Sequence, residues 1–366
     1  MEAPKKGRTV MPDRRSRKRV YHPSVITKAF FIFIGLLFPA MFYVFINLVT
    51  PVSSEENWKE IVIPEGSSYS KGINILKEHG IIKNRFIFLM LGKVTKTETQ
   101  LRAGYYNLSP SMTPLDIFDN LIKGKTIQYI VTIPEGSTLL DIRGRLEDVG
   151  LVDGDSWKFV YDSDFLSSLN VDSPSLEGYL FPDTYNFQKG VDPRVVFKVM
   201  VQRLRDVLDE SMRARAREIG MSENDVVTLA SIIEKEAVHD SERPVISAVY
   251  HNRLKKKMKL QADPTVLYGV GKKWGRIGYR DLLRQTPYNT YKIQGLPPGP
   301  IASPGLKSIK AALYPADVDY LFFVSMNNGR HHFSLTGREH VAAVELYRLK
   351  SDINASDETD KTDKTD

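Results

Sequence analysis

The hydrophobic pattern of this chain falls into three regimes. Ala29–Val49 is an uncharged apolar run of 21 residues, long enough to cross the hydrocarbon core of a bilayer as one helix. Gly35 and Pro39 lie inside it and are tolerated in such helices. After a short linker at 50–60, β-branched runs alternate with helix-period segments. Ile61–Ser67 (IVIPEGS) recurs as Val131–Ser137 (VTIPEGS), an offset of 70, and Ile75–Ile81 answers Arg145–Leu151. Each copy reads as a strand, a Pro-Glu-Gly turn and an amphipathic helix closed by glycine. Two copies suggest a duplicated unit and do not make a solenoid. Between them, Ala103–Gly124 reads as strand then helix, with Thr113 as N-cap, Pro114 in the first turn and Gly124 as C-cap.

Beyond residue 150 the helical period dominates. Asp192–Ile219 reads as one long amphipathic helix, Ser222–Val238 as a second and Val245–Lys257 as a third. Glu177–Tyr185 is an aromatic-rich loop and strand, and 295–305 is a Pro/Gly-rich loop. Asp319–Ser325 and His332–Leu335 read as a hairpin turning at 327–329, followed by a helix over Gly337–Leu349. Asp153–Ser175 carries no readable pattern. The tail 351–366, with its Thr-Asp-Lys repeats, has the composition of a disordered segment. The fold class expected is α+β: a basic tail (1–28), a membrane helix (29–49), a linker (50–60), a small α/β module (61–127), a mixed α+β domain (128–350) and the polar tail.

The formal charge of +7 invites a nucleic-acid reading, but its distribution argues against one. Residues 1–28 hold nine Lys/Arg and two acids, which is 9 − 2 = +7; the other 338 residues carry 42 basic and 42 acidic groups. No basic nucleic-acid-binding face is implied. The basic cluster beside the apolar run instead sets orientation, keeping the N-terminus cytoplasmic and 50–366 outside. The apolar run is longer than the core of a secretory signal and no A-x-A-like site follows it, so an uncleaved anchor is expected. Zero cysteine is compatible with an oxidising compartment.

The chain offers little catalytic chemistry apart from carboxylates. It has seven histidines, and none pairs at metal-ligand spacing. Glu236–His239 has E-x-x-H spacing, but di-iron bundles need two such motifs. There is no H-E-x-x-H and no G-x-S-x-G. His239 and His251 read as capping or packing residues. Glu234 and Glu236 close an apolar helix about 200° apart, so they point to different faces. Glu236 leans over Ile232 and Ile233, whereas Glu234 leans over Ala230 and Ser231. The bulkier apolar shell should desolvate Glu236 and raise its pKa toward that of a general acid. Glu234 would orient neighbours or pair with a cation. On pattern alone, both also fit ordinary surface glutamates.

Leu229–Ala237, Ser241–Arg243, Tyr250–Leu254, Leu260–Gly269, Pro287–Tyr291, Gly295–Gly299 and Ala302–Gly305 together resemble the endolytic murein transglycosylases, the YceG-like family, as do Glu177–Tyr185 and Ala103–Gly124. The resemblance covers roughly 60–350 and implies a LysM-like module beside the membrane and a catalytic domain after it. It implies cleavage of the MurNAc–GlcNAc β-1,4 bond within nascent peptidoglycan strands, leaving 1,6-anhydro-MurNAc ends. The family's catalytic glutamate falls on Glu236. Asp263 would steady positive charge or bind sugar, held extended by Pro264. Asn252, Asn289, Thr290, Tyr291, Gln261 and Glu234 would contact the glycan, and Tyr185 would stack on a ring. Peptidoglycan synthases are implied partners, and no metal or cofactor is implied. Two other readings stay open. A glycan-binding envelope scaffold would release no products, and a lysozyme-like hydrolase would leave reducing ends.

Overall fold

The computed structural model describes Met1, 25–272, Gly275 and 277–347. Most of the basic tail and the whole of 351–366 lie outside these residues. The described chain is a mixture of helices and small antiparallel sheets, and it divides into two compact units, 1–125 and 126–366.

In the first unit α1 (Val25–Val49) has a mean hydropathy of 2.5 over its most apolar stretch, and none of its residues is buried. A globular core follows. Strand β1 (Lys59–Ile63) pairs antiparallel with β2 (Gly104–Leu108), Ile61 opposite Tyr106. Helices α2 (Tyr69–Glu78), α3 (Arg85–Thr95) and α4 (Pro114–Lys123) complete the unit. Ile61, Ile73, Leu76, Tyr106, Ile117 and Leu121 are fully buried among them. α4 is capped as its sequence prescribes. Thr113 Oγ1 accepts from the Asp116 N–H, Pro114 occupies the first turn, and Gly124 takes the left-handed conformation at φ 64°.

The second unit opens with the other copy of the repeat. Strand β3 (Gln128–Thr132) pairs antiparallel with β4 (Thr184–Gln188), and α5 (Leu139–Asp148) follows the turn. α2 and α5 start and stop 70 residues apart. Gly66 and Gly136 close the two turns at φ 71° and 74°, a region that only glycine enters freely. The unreadable segment 153–175 forms a 3-10 helix, Ser156–Tyr161, and α6 (Ser163–Ser168). Trp157 of this segment meets the Phe197 ring edge-on at 5.6 Å.

The single helix expected over 192–219 is two, α7 (Pro193–Val207) and α8 (Glu210–Glu218). Asp209 causes the break: its carboxylate accepts from the Met212 N–H and starts a new helix. α9 (Glu223–Glu236) and α10 (Arg243–Lys255) follow; α10 begins before Val245 because Pro244 is tolerated in a first turn. Then come α11 (Asp263–Gly269), α12 (Tyr279–Leu283), α13 (Leu306–Leu313), the hairpin β5 (Phe322–Ser325) with β6 (His331–Ser334), and α14 (337–347). The last expected residues of α14 lie outside the described residues. α9 is the axis of this unit, with every residue from Val226 to Ile233 buried and α8, α10, α11 and α13 packed round it.

Candidate active site

α9 is nucleated by a capping box, in which Ser222 and Asp225 each bond the other's backbone N–H. Its buried stretch ends at Ile233, so the last turn carries Glu234 and Glu236 from the core to the surface of a groove. The helix C-terminus is itself a poor place for negative charge. The two glutamates diverge there, as their 200° separation requires.

Glu234 serves the framework. One carboxylate oxygen accepts from Arg243 at 3.2 Å, with both side chains less than a tenth exposed. The other accepts from the Gly305 N–H at 2.9 Å, at the start of α13. Glu135, from the Pro-Glu-Gly turn of the second repeat, lies near enough for Glu234 to help raise its pKa, although burial contributes more.

Glu236 faces open space. Two cavities, about 330 and 520 Å³, both include Glu236 and Asp263 in their walls. The glutamate therefore stands where two arms of one groove meet. The Tyr250 hydroxyl donates to Glu236 Oε1 at 3.0 Å. Desolvation pushes the Glu236 pKa up to about 7; the tyrosine's hydrogen bond pulls it down and the Asp263 charge adds to the rise. Burial also raises Tyr250 well above 10, so it stays a donor.

Asp263 comes from the first residue of α11. The expectation of an extended conformation before Pro264 is corrected, because helical geometry begins at Asp263 and the extended residue is Ala262. The Tyr291 hydroxyl donates to Asp263 Oδ1 at 2.6 Å. Thr290, fully buried, accepts from the Ala262 N–H at 2.9 Å and meets Thr265 Oγ1 at 2.8 Å. Asn289, also buried, donates to the Leu282 and Arg284 carbonyls and accepts from the Tyr291 N–H. Thr290 and Asn289 are therefore not available to a ligand; they seat the loop that holds Asp263. Gln261 lines the larger cavity with φ 52°, its side-chain oxygen accepting from Arg253 at 3.3 Å.

Two further expectations are corrected. Tyr185 cannot stack on a ligand: it points inward from β4, 7% exposed, its ring stacked on Phe187 at 5.7 Å and its hydroxyl bonded to the Phe181 carbonyl. Asn252 lines neither arm of the groove. Its amide donates to the Val318 and Tyr320 carbonyls and ties down the approach to β5.

Glu177 is a residue that sequence reasoning passed over. It is 3% exposed and lines the smaller, largely apolar arm. Its oxygens accept from the Leu139 N–H at 3.1 and 3.2 Å, capping α5, and Tyr268 of α11 also bonds it. Burial lifts its pKa to about 7. The only sequence signal was a charged residue at the head of an aromatic run. Tyr250 gave even less, because its link to Glu236 spans 14 residues and a helix reversal.

The sequence from 61 to 346 matches the model of the YceG-like family. An endolytic murein transglycosylase of Bacillus subtilis is 36% identical over 323 residues, 82% of this chain and 88% of the relative. One of Streptococcus pneumoniae is 29% identical over 362 residues, and the match spans 64% of that longer protein. The 2.6 Å crystal structure of a YceG-like protein from Listeria monocytogenes, 38% identical, superposes with a TM-score of 0.54, covering 79% of this chain and all of the other. With the match running from 61 to 346, through both copies of the repeat and past Glu236 and Asp263, this chain belongs to the YceG-like family.

Proposed function

We propose that this chain is a membrane-anchored endolytic lytic transglycosylase that cuts peptidoglycan glycan strands with one carboxyl group, Glu236. The observation that carries the reading is the position of Glu236, at the junction of two groove arms with a pKa near 7. A polymer laid through both arms would present an internal bond to it. Protonated Glu236 gives its proton to the bridging oxygen as the bond to C1 breaks. The sugar's own C6 hydroxyl then attacks C1, and the Glu236 carboxylate takes the proton released. No water is consumed, the acid is restored, and a 1,6-anhydro end results. A pKa near 7 suits a group that must both give and take a proton at neutral pH. Holding the hydroxyl beside C1 makes the closure intramolecular. Asp263, steadied by Tyr291, stabilises the cationic transition state. Tyr250 stays protonated and holds Glu236 in place.

The 1–125 unit would serve as anchor and LysM-like glycan module, with the N-terminus cytoplasmic and the groove outside. Strand termination beside peptidoglycan synthases fits this layout. One observation favours a second reading. Asp263 shares both cavities with Glu236, so a hydrolase with two carboxylates is the alternative. Mass spectrometry of products from residues 50–366 on uncrosslinked glycan strands separates the two. Internal fragments ending in 1,6-anhydro-MurNAc, lost in Glu236→Gln, are expected. Reducing ends would establish the hydrolase, and binding without cleavage would point to a scaffold.

A further inference from the structure

The proposed chemistry leaves the larger arm of the groove almost unused. Its lining beyond Glu236 and Asp263 is rich in polar groups, including Gln261, Tyr291, Asn327, His331 and His340. His331 opens β6, and its Nδ1 lies 2.9 Å from Glu242 Oε2 while its backbone N–H donates to Glu242 Oε1 at 3.2 Å. Both side chains are about 10% exposed. Glu242 comes from the 3-10 turn Asp240–Glu242 between α9 and α10, so one carboxylate grips both the main chain and the ring of His331. With the carboxylate as acceptor, Nδ1 carries its hydrogen, and Nε2 is the ring's remaining polar atom. Nε2 has no hydrogen-bond partner among the described residues. The ring is fixed from the side as well. Phe323 meets it edge-on at 5.2 Å, and the same Phe323 meets Tyr250, the partner of Glu236, edge-on at 5.9 Å. In the same lining, His340 of α14 stacks on Phe322 at 5.2 Å, and its Nδ1 is buried without a partner.

A register lock for the hairpin would need only the backbone bond. Here the ring is oriented too, and His331 lines a cavity that also contains the candidate acid. We infer that His331, held by Glu242, positions substrate: its Nε2 hydrogen-bonds a hydroxyl or acetamido group of the N-acetylamino sugar lying in the polar arm. This rests on the glycan-cleaving reading of the groove.

The test uses two partial isosteres. In His331→Asn the amide nitrogen falls near Nδ1 and keeps the Glu242 bond, with nothing at Nε2. In His331→Gln the amide reaches the Nε2 position. Cleavage of uncrosslinked glycan strands is measured with detergent-solubilised full-length protein. The expected result for His331→Asn is a KM raised about tenfold, the loss of one hydrogen bond, with kcat changed little and Tm kept. His331→Gln should recover most of that loss. A wild-type KM in His331→Asn would overturn the inference, and so would equal losses in both variants accompanied by a lower Tm. If the wild-type protein cleaves nothing, the functional reading fails separately. Strand binding to Glu236→Gln against Glu236→Gln/His331→Asn then decides, and equal affinities would overturn the role of His331.

Discussion

At the scale of single residues, the groove holds carboxyl groups away from their ordinary behaviour. Glu236 ordinarily titrates at 4.5 and here keeps its proton to about 7. The unfolded chain loses that proton first, so the folded state's advantage is full below about pH 4.5, declines as pH rises to about 7, and is level above. Glu236→Gln should therefore stabilise the protein at pH 8 by on the order of 1–3 kcal/mol and have little effect near pH 4. Urea unfolding at the two pH values checks this; an equal effect at both would mean that the carboxyl is not strained by its surroundings. The desolvation of Glu236 was legible in the sequence, because Ile232 and Ile233 lie on the turn beneath it. Its partners were not legible. Tyr250 and Asp263 reach it through tertiary packing between helices, and no local spacing encodes that. The same limit explains Asn289 and Thr290, whose polar groups turn out to be committed to the backbone around Asp263.

At the scale of elements, caps and turns were read well and long-range seating poorly. Thr113, Pro114 and Gly124 delimit α4 as their chemistry dictates, since those signals act within one turn. The Asp209 break was missed because the apolar period runs through it and one N-cap outweighs the pattern. Segment 153–175 was opaque because its short helices bury isolated residues such as Trp157 and Leu166, with no period to detect. Gly178 shows what the seating demands. It follows Glu177 with φ 77°, and a Cβ there would come within 2.3 Å of Pro300 Cβ and 3.1 Å of the Ala302 carbonyl oxygen. Gly178→Ala should cost roughly 2–5 kcal/mol, combining left-handed strain with overpacking. Gly220→Ala, at φ 71° with open space around it, carries only the backbone penalty of about 1 kcal/mol. Denaturant midpoints of the two variants measure the difference, and equal losses would show that the Pro300 contact yields.

At the scale of the molecule, the two clusters of buried apolar residues share no member. One is built from Ile61 to Leu121, the other from Val131 to Leu313. Each copy of the repeat contributes its strand and helix to a different cluster. Residues 126–366 expressed alone should then unfold cooperatively, with a midpoint within a few degrees of the same unit in the longer chain. Calorimetry tests this; a fragment with no heat-absorption peak would show that the first unit is needed for folding.

The meeting of two cavities at Glu236 also bears on when cutting stops. On the proposed reading, a strand needs no free end to enter, so long material offers many equivalent places to be severed. Every cut shortens what remains. Once a piece is too short to fill both arms, it forfeits the grip of one side and dissociates before it reacts. Digestion would slow by itself and leave a residue of short chains of narrow size range, with no separate gauge needed to protect them.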